Sequence, residues 1–207
     1  MMPNKFGLII ISLCLSLSLR AQYSDKVLYD AYLSEDLSLW KEYLLSEDFS
    51  RLSANEQARY LNYEYGYVAA TVHRDPDAGA RLDSLLNHIN AMEGVLPPAT
   101  ILAYRAAWCA YKGRHHRIEM MTKGMQSKSY AKQAVAQDPE NALAHNVMGF
   151  VDFYTPKFVG GSKERALAEF KKAQQLLQLE GDTLYNWNYH SVVNHIRLCQ
   201  EKYVPNH

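Results

Sequence analysis

Three stretches of this chain carry residue types that could do chemistry. His115, His116 and Glu119 put two imidazoles and a carboxylate close together, the groups that ligate zinc. A tetrahedral site needs three or four ligands converging on one point. Adjacent histidines on a helix point about 100° apart, and Arg114 and Arg117 beside them repel a cation, so the stretch reads as a solvated basic segment. His190 and His195 lie five apart and do not share a helical face; the first is expected exposed and the second half-buried. Gly160-Gly161-Ser162-Lys163 opens a helix and offers backbone N–H groups to a phosphate. It lacks the rest of the Walker pattern and a preceding strand, so a turn followed by an N-cap accounts for it. No serine sits in a Gly-x-Ser-x-Gly turn, and no cysteine has the basic neighbour that lowers a thiol pKa. No catalytic residue, cofactor site or metal site emerges, and the expectation is a non-enzyme.

Tyrosine is the stronger lead. The chain has 15 of them among 207 residues. A tyrosine offers a large ring with a polar tip, which suits both helix packing and partner contact.

Elements must hold these residues. The formal net charge is zero, which removes the electrostatic case for nucleic acid. Residues 1–21 resemble a secretory leader: Lys5 is the positive flank, residues 6–19 the apolar run, and Ala21 the small residue before the cut. The run is short of the roughly 20 residues of a membrane span, so no stable span is expected after cleavage. An uncleaved anchor is the rival reading; a lipoprotein through Cys14 is disfavoured by the bulky Leu13 before it. Of the remaining cysteines, Cys109 and Cys199 fall on helices expected about 20 Å apart from roughly 10 Å helix spacings, beyond the ~7 Å reach of a disulfide. They read as small buried hydrophobes. The expectation is one domain, 22–207.

Along that domain the apolar spacing is helical throughout, with no long strand pattern. A short helix over 25–33 points Val27, Leu28, Ala31 and Tyr32 inward, and a second carries Leu39, Trp40, Tyr43 and Leu44. Ser53 and Glu56 form a capping box. The helix it opens runs to Val72, with Tyr60, Tyr63 and Tyr67 on one face and Leu61, Tyr65, Val68 and Val72 on another. A helix apolar on two faces is sandwiched between others, and Gly66 within it implies a close neighbour. Asp75-Pro76 restarts the chain for a stripe of Ala78, Leu82, Leu85, Leu86 and Ile89, and Pro97-Pro98 opens an alanine-rich helix. Residues 112–123, polar with Gly113 near their start, read as a connection with a helical piece at 117–122. Gly181-Asp182-Thr183 is expected to cap a last helix, 183–203, with Tyr189, Val192, Val193, Ile196, Cys199 and Tyr203 on its inner face.

The clearest pattern lies between Ser129 and Gln178. Tyr130, Ala131, Ala134 and Val135 make a stripe ending at Asp138-Pro139. Ala144, Val147, Met148 and Val151 make the next, with Gly149 inside it implying close approach by the following helix, and Ala166, Leu167, Phe170, Ala173 and Leu177 make the third. His145 faces the neighbouring helix as a hydrogen-bonded packing residue. These residues resemble the tetratricopeptide repeat, a helix–turn–helix of about 34 residues with small residues at the contact and a proline after the second helix. The loop 155–161 is longer than the family's turn, and His145 replaces a large aromatic. The chain also resembles uncharacterised secreted helical-repeat proteins of Gram-negative bacteria and, more faintly, the periplasmic helical-repeat component of TRAP-type transport systems.

The resemblance implies an all-α, right-handed superhelix of antiparallel helix pairs, clearest over 142–178 and sealed by the helix at 183–203. It implies that Asn146, Phe150 and Tyr154 line a concave groove, extended by Tyr111. The implied work is non-catalytic: holding a protein or peptide partner, or another copy of itself, in the periplasm or outside the cell. The alternative is a small-ligand or solute-handling accessory of a periplasmic transport system, which would need an enclosed polar and aromatic pocket.

Overall fold

The computed structural model describes residues 23–201. Among them the chain forms nine α-helices: α1 (Asp25–Leu33), α2 (Ser38–Ser46), α3 (Ala54–Thr71), α4 (Ala78–Ala91), α5 (Pro98–His115), α6 (Met120–Gln137), α7 (Ala142–Tyr154), α8 (Lys163–Leu179) and α9 (Trp187–Gln200). No strand occurs among the described residues beyond an isolated bridge between Glu93 and Leu96. The fold is all-α, as the spacing predicts. The leader expected at 1–21 and the end of the expected last helix lie outside the described residues.

Local chemistry sets the helix starts. Ser24, Asn141, Ser162 and Asn186 each accept a hydrogen bond from a backbone N–H three residues on. Ser53 N donates to the Glu56 carboxylate at 3.0 Å, the return half of the capping box. Pro98 occupies the first turn of α5, where its missing N–H costs nothing.

Consecutive helices pack as hairpins. α5 lies against α6 and α7 against α8, while α5 also touches α3 and α7. Small residues make the close approaches. Ala166, Phe170 and Ala173 are fully buried, and a Cβ on Gly149 would stand 2.7 Å from the Phe170 ring. The close neighbour inferred for Gly149 is therefore the following helix. His145 is buried as expected, with Nδ1 2.6 Å from Glu169 and Nε2 2.8 Å from the Pro139 carbonyl. Cys109 and Cys199 are both free.

Two expectations need correction. Residues 112–123 are not a connection: α5 runs through Gly113 to His115, a single turn at Arg117–Glu119 follows, and α6 begins at Met120. Gly113 is where the two helices meet, with Lys123 Cβ 3.1 Å from where a Cβ would sit; the glycine marks a close contact, not the end of a helix. The last helix begins at Trp187, not at 183. Gly181 (φ 73°) ends α8, Tyr185 turns the chain at φ 56°, and Asn186 supplies the cap.

That shift rotates α9. Trp187, Ser191 and Val192 face inward, while Val193 is 38% exposed. Trp187 inserts among aromatics of the first helices, its ring 5.6 Å from Trp40, 5.4 Å from Tyr65 and 6.0 Å from Tyr32. Gly66 makes room for it: a Cβ there would lie 2.7 Å from Trp187 and 2.8 Å from Trp40. The closing helix thus packs on α8 and also reaches back to the beginning of the chain.

Candidate functional site

The return of α9 creates a cleft that no single element could form. It has a volume of about 300 Å³ and opens between the α1–α2 turn, the end of α3 and the outer half of α9. Tyr32 and Leu33 come from α1, Glu35 and Leu37 from the turn, Ala70 and Arg74 from α3 and just beyond it, and His190 and Asn194 from α9. The turn is held by Ser34, whose N–H donates to the Asp30 carbonyl at 3.0 Å and whose hydroxyl donates to the Ala31 carbonyl at 3.0 Å. Glu35 adopts φ 58°, the left-handed conformation that reverses the chain there.

His190 sits one helical turn beyond Trp187, so the buried indole fixes its direction. Its ring stands edge-on to Tyr32 at 5.7 Å and to Tyr29 at 6.1 Å. Nδ1 lies 3.5 Å from the Tyr29 hydroxyl. Nε2 has no hydrogen-bond partner among the described residues. Burial raises the Tyr32 pKa against the lowering effect of a Ser191 hydrogen bond, so the phenol stays protonated at neutral pH. Leu33 is 47% exposed, and Arg74 forms no ion pair among the described residues. The cleft therefore combines an unengaged imidazole nitrogen, aromatic and aliphatic walls, and a cation at the rim. Such a set can receive a flat apolar ligand, ligate or hydrogen-bond its centre and pair with an acidic substituent.

The groove residues inferred from the repeat resemblance are distributed differently. Phe150 and Tyr154 lie together, their rings 6.2 Å apart. α9 covers part of them: His195 lies 4.6 Å from Phe150, and its Nε2 is 3.0 Å from the Tyr154 hydroxyl. Nδ1 of His195 faces the Ser191 carbonyl at 2.8 Å, so the neutral ring donates there and accepts from Tyr154. Burial lowers the His195 pKa in keeping with that neutral form. Tyr154 remains 57% exposed, with the Arg114 guanidinium 5.6 Å above its ring. Asn146 is 2% exposed and opens into a second cleft. Tyr111 is buried beside Tyr65, and burial drives its phenol pKa upward.

Sequence reasoning sets His190 aside as exposed, reads Tyr32 as inward packing and does not single out Arg74. The available signal was the spacing of three between Trp187 and His190, which places both on one side of a helix. With α9 expected to seal the far end of an array, nothing in the pattern aimed that side at α1.

Among the described residues no group of three or more His, Cys, Asp or Glu side chains converges to hold a metal ion. No helix among them is long and apolar enough to cross a membrane.

No family model matches the chain, and no curated protein matches it. Among solved structures the fold is similar to that of the HusA haemophore from Porphyromonas gingivalis, with a TM-score of 0.58 and 18% identity. The similarity covers 84% of this chain and 96% of that one. At this identity what is shared is the fold.

Proposed function

We propose that this chain is an exported, non-catalytic capture protein whose cargo is a planar tetrapyrrole of the haem class, received at the cleft between α1, α3 and α9. The observation that carries the reading is His190, an imidazole at the mouth of an aromatic cleft with Nε2 unengaged. Imidazole is an axial ligand of haem iron, and the rings of Tyr29 and Tyr32 stand beside His190 as aromatic walls. Leu33 and Leu37 offer apolar surface to a macrocycle, and Arg74 offers a partner to a propionate. Glu35, the one carboxylate in the lining, is exposed on its turn. An open cleft of about 300 Å³ takes one edge of the ring and leaves the rest accessible, which suits a carrier that must surrender its cargo. The likeness of fold to a haemophore, over 84% of this chain, supports the same class of ligand.

The finer architecture belongs to this proposal. The α5–α6 and α7–α8 hairpins act as tetratricopeptide-like units of a right-handed superhelix, clearest at 142–178. The leader at 1–21 delivers the domain to the periplasm or beyond.

Titration of the mature chain with haemin tests the function. The expected result is a saturable shift of the Soret band, weakened at least about tenfold in His190→Ala, which is about 1.4 kcal/mol. Metal-free protoporphyrin should bind wild type and His190→Ala alike, because it has no iron to ligate. No saturable Soret change, or equal haemin affinity in both proteins, would overturn the reading.

A second reading keeps a protein or peptide partner at Phe150 and Tyr154; Asn146 and Tyr111, expected beside them, are buried and do not extend that surface. The half-open Tyr154 ring stacked on Phe150 favours it, since exposed aromatic pairs are frequent anchors of interfaces. Capture from the native envelope by wild type, compared with a Phe150→Ala plus Tyr154→Ala variant, separates the two: equal capture would remove this surface.

A further inference from the structure

The second cleft, of about 310 Å³, is chemically unlike the first. It opens where α3, α5 and α7 meet the α6–α7 turn and the α8–α9 connection, and its lining contains no lysine or arginine. Five asparagines line it: Asn141 and Asn186 are engaged as helix caps, which leaves Asn146 on α7, Asn188 on α9 and Asn62 on α3. Asn188 Nδ2 donates to Asn62 Oδ1 at 2.7 Å. The Oδ1 atoms of Asn146 and Asn188 are buried and have no hydrogen-bond partner. Asn146 is itself only 2% exposed. A buried acceptor without a partner costs its full desolvation penalty, and native interiors leave few of them. Two at one cleft call for a ligand that donates.

The rim specifies the charge of that ligand. Asp138, Glu140, Glu180 and Asp182 all line the opening. Glu140 is engaged by Lys172 at 2.9 Å, and Asp138 Oδ1 accepts the Glu140 N–H at 3.0 Å to hold the turn. Glu180 and Asp182 form no ion pair among the described residues. Burial, then the neighbouring charges of Asp182 and Asp138, raise the Glu180 pKa, which marks these carboxylates as sharing one field. A concave surface lined with one sign of charge concentrates the opposite ion.

We propose that this cleft binds a primary ammonium group, taking its N–H donors on the Asn146 and Asn188 oxygens and its charge against Glu180 and Asp182. An ammonium has three donors and no acceptor. It can therefore offer a donor to each of the two oxygens and its charge to a carboxylate. A neutral amide or alcohol brings no charge to the rim, and a haem propionate is repelled by it. The site is independent of the tetrapyrrole reading, because it shares no residue with the His190 cleft.

The test follows side-chain amide signals of the mature chain by NMR during titration with n-butylamine, and separately with the blocked peptide acetyl-Gly-Lys-Gly-amide. n-Butanol and acetyl-Gly-norleucine-Gly-amide are the neutral controls. The expected result is saturable shifts at Asn146 and Asn188 with at least one ammonium probe and with neither control. Response to the amine alone identifies a free small amine as the source, and response to the peptide identifies a lysine side chain. Glu180→Gln with Asp182→Asn, both at exposed positions, should weaken binding about tenfold or more, as should Asn146→Ala. His190→Ala should bind as wild type does. Shifts of equal size with the neutral controls, no response to either ammonium probe, or undiminished binding in the Glu180→Gln, Asp182→Asn protein would overturn the assignment.

Discussion

His145 and His195 are both imidazoles held within helix contacts, and they titrate in opposite directions. At His145 burial pulls the pKa down, but the hydrogen bonds to Glu169 and the Pro139 carbonyl outweigh it, and the net shift is upward from 6.5. Its stabilising contribution is fully present below the unfolded value and is lost as pH rises through the folded one. At His195 burial wins and the pKa falls; that contribution is present above the unfolded value and is lost as pH drops through the folded one. The stability difference between wild type and His145→Gln should therefore be larger at about pH 5.5 than at about pH 8. Urea unfolding at the two pH values checks it, and a difference that grows with pH would contradict the assignment. Gly149 makes a second prediction at this scale. Its missing Cβ leaves room for the Phe170 ring, 2.7 Å from where it would lie. Gly149→Ala should gain helix propensity yet lose about 1–3 kcal/mol to overpacking, and a rise in melting temperature would show that the α7–α8 contact is looser than described.

Helix α9 couples the two ends of the described chain, with Trp187 as its buried anchor. Trp187 is 5% exposed and packs on Trp40, Tyr65 and Tyr32. Truncation to alanine should cost about 3–5 kcal/mol, the usual range for a buried tryptophan. It should also release His190, one turn away, and weaken haemin binding beyond what the stability loss at the assay temperature explains. Trp187→Phe, which keeps an aromatic in the pocket, should restore most of that binding. If Trp187→Ala binds haemin as wild type does, α9 does not position His190.

For the whole molecule the return of α9 changes how it should unfold. An open array of hairpins frays from its ends, because each unit touches only its neighbours. Here the Asn188–Asn62 hydrogen bond and the Trp187 cluster tie the last helix to α1–α3. α1 and α9 should exchange their amide hydrogens in one cooperative opening, with closely similar free energies. Native-state hydrogen exchange reads this directly, and independent fraying of α1 would refute it. Export makes a separate prediction at this scale: the mass of the chain recovered outside the cytoplasm should correspond to a start at Gln22, and an intact leader would favour the anchored alternative.

The sequence alone determined the helices, because amphipathic spacing and caps are local facts. The stripe of Ala166, Phe170 and Ala173, the capping box at Ser53 and the close approach at Gly149 were all legible for that reason. Gly66 announced a neighbour without saying which, and Gly113 was mistaken for a boundary, since a glycine marks a tight contact and a chain break with the same residue. What only the tertiary structure decided is where α9 goes. The spacing of three between Trp187 and His190 fixes their common side, but the surface that side meets lies more than a hundred residues earlier in the chain. No periodicity records a contact of that separation. The His190 cleft is made at that contact, and the second cleft takes Asn188 from the same helix, which is why the elements could be read from the sequence and the sites could not.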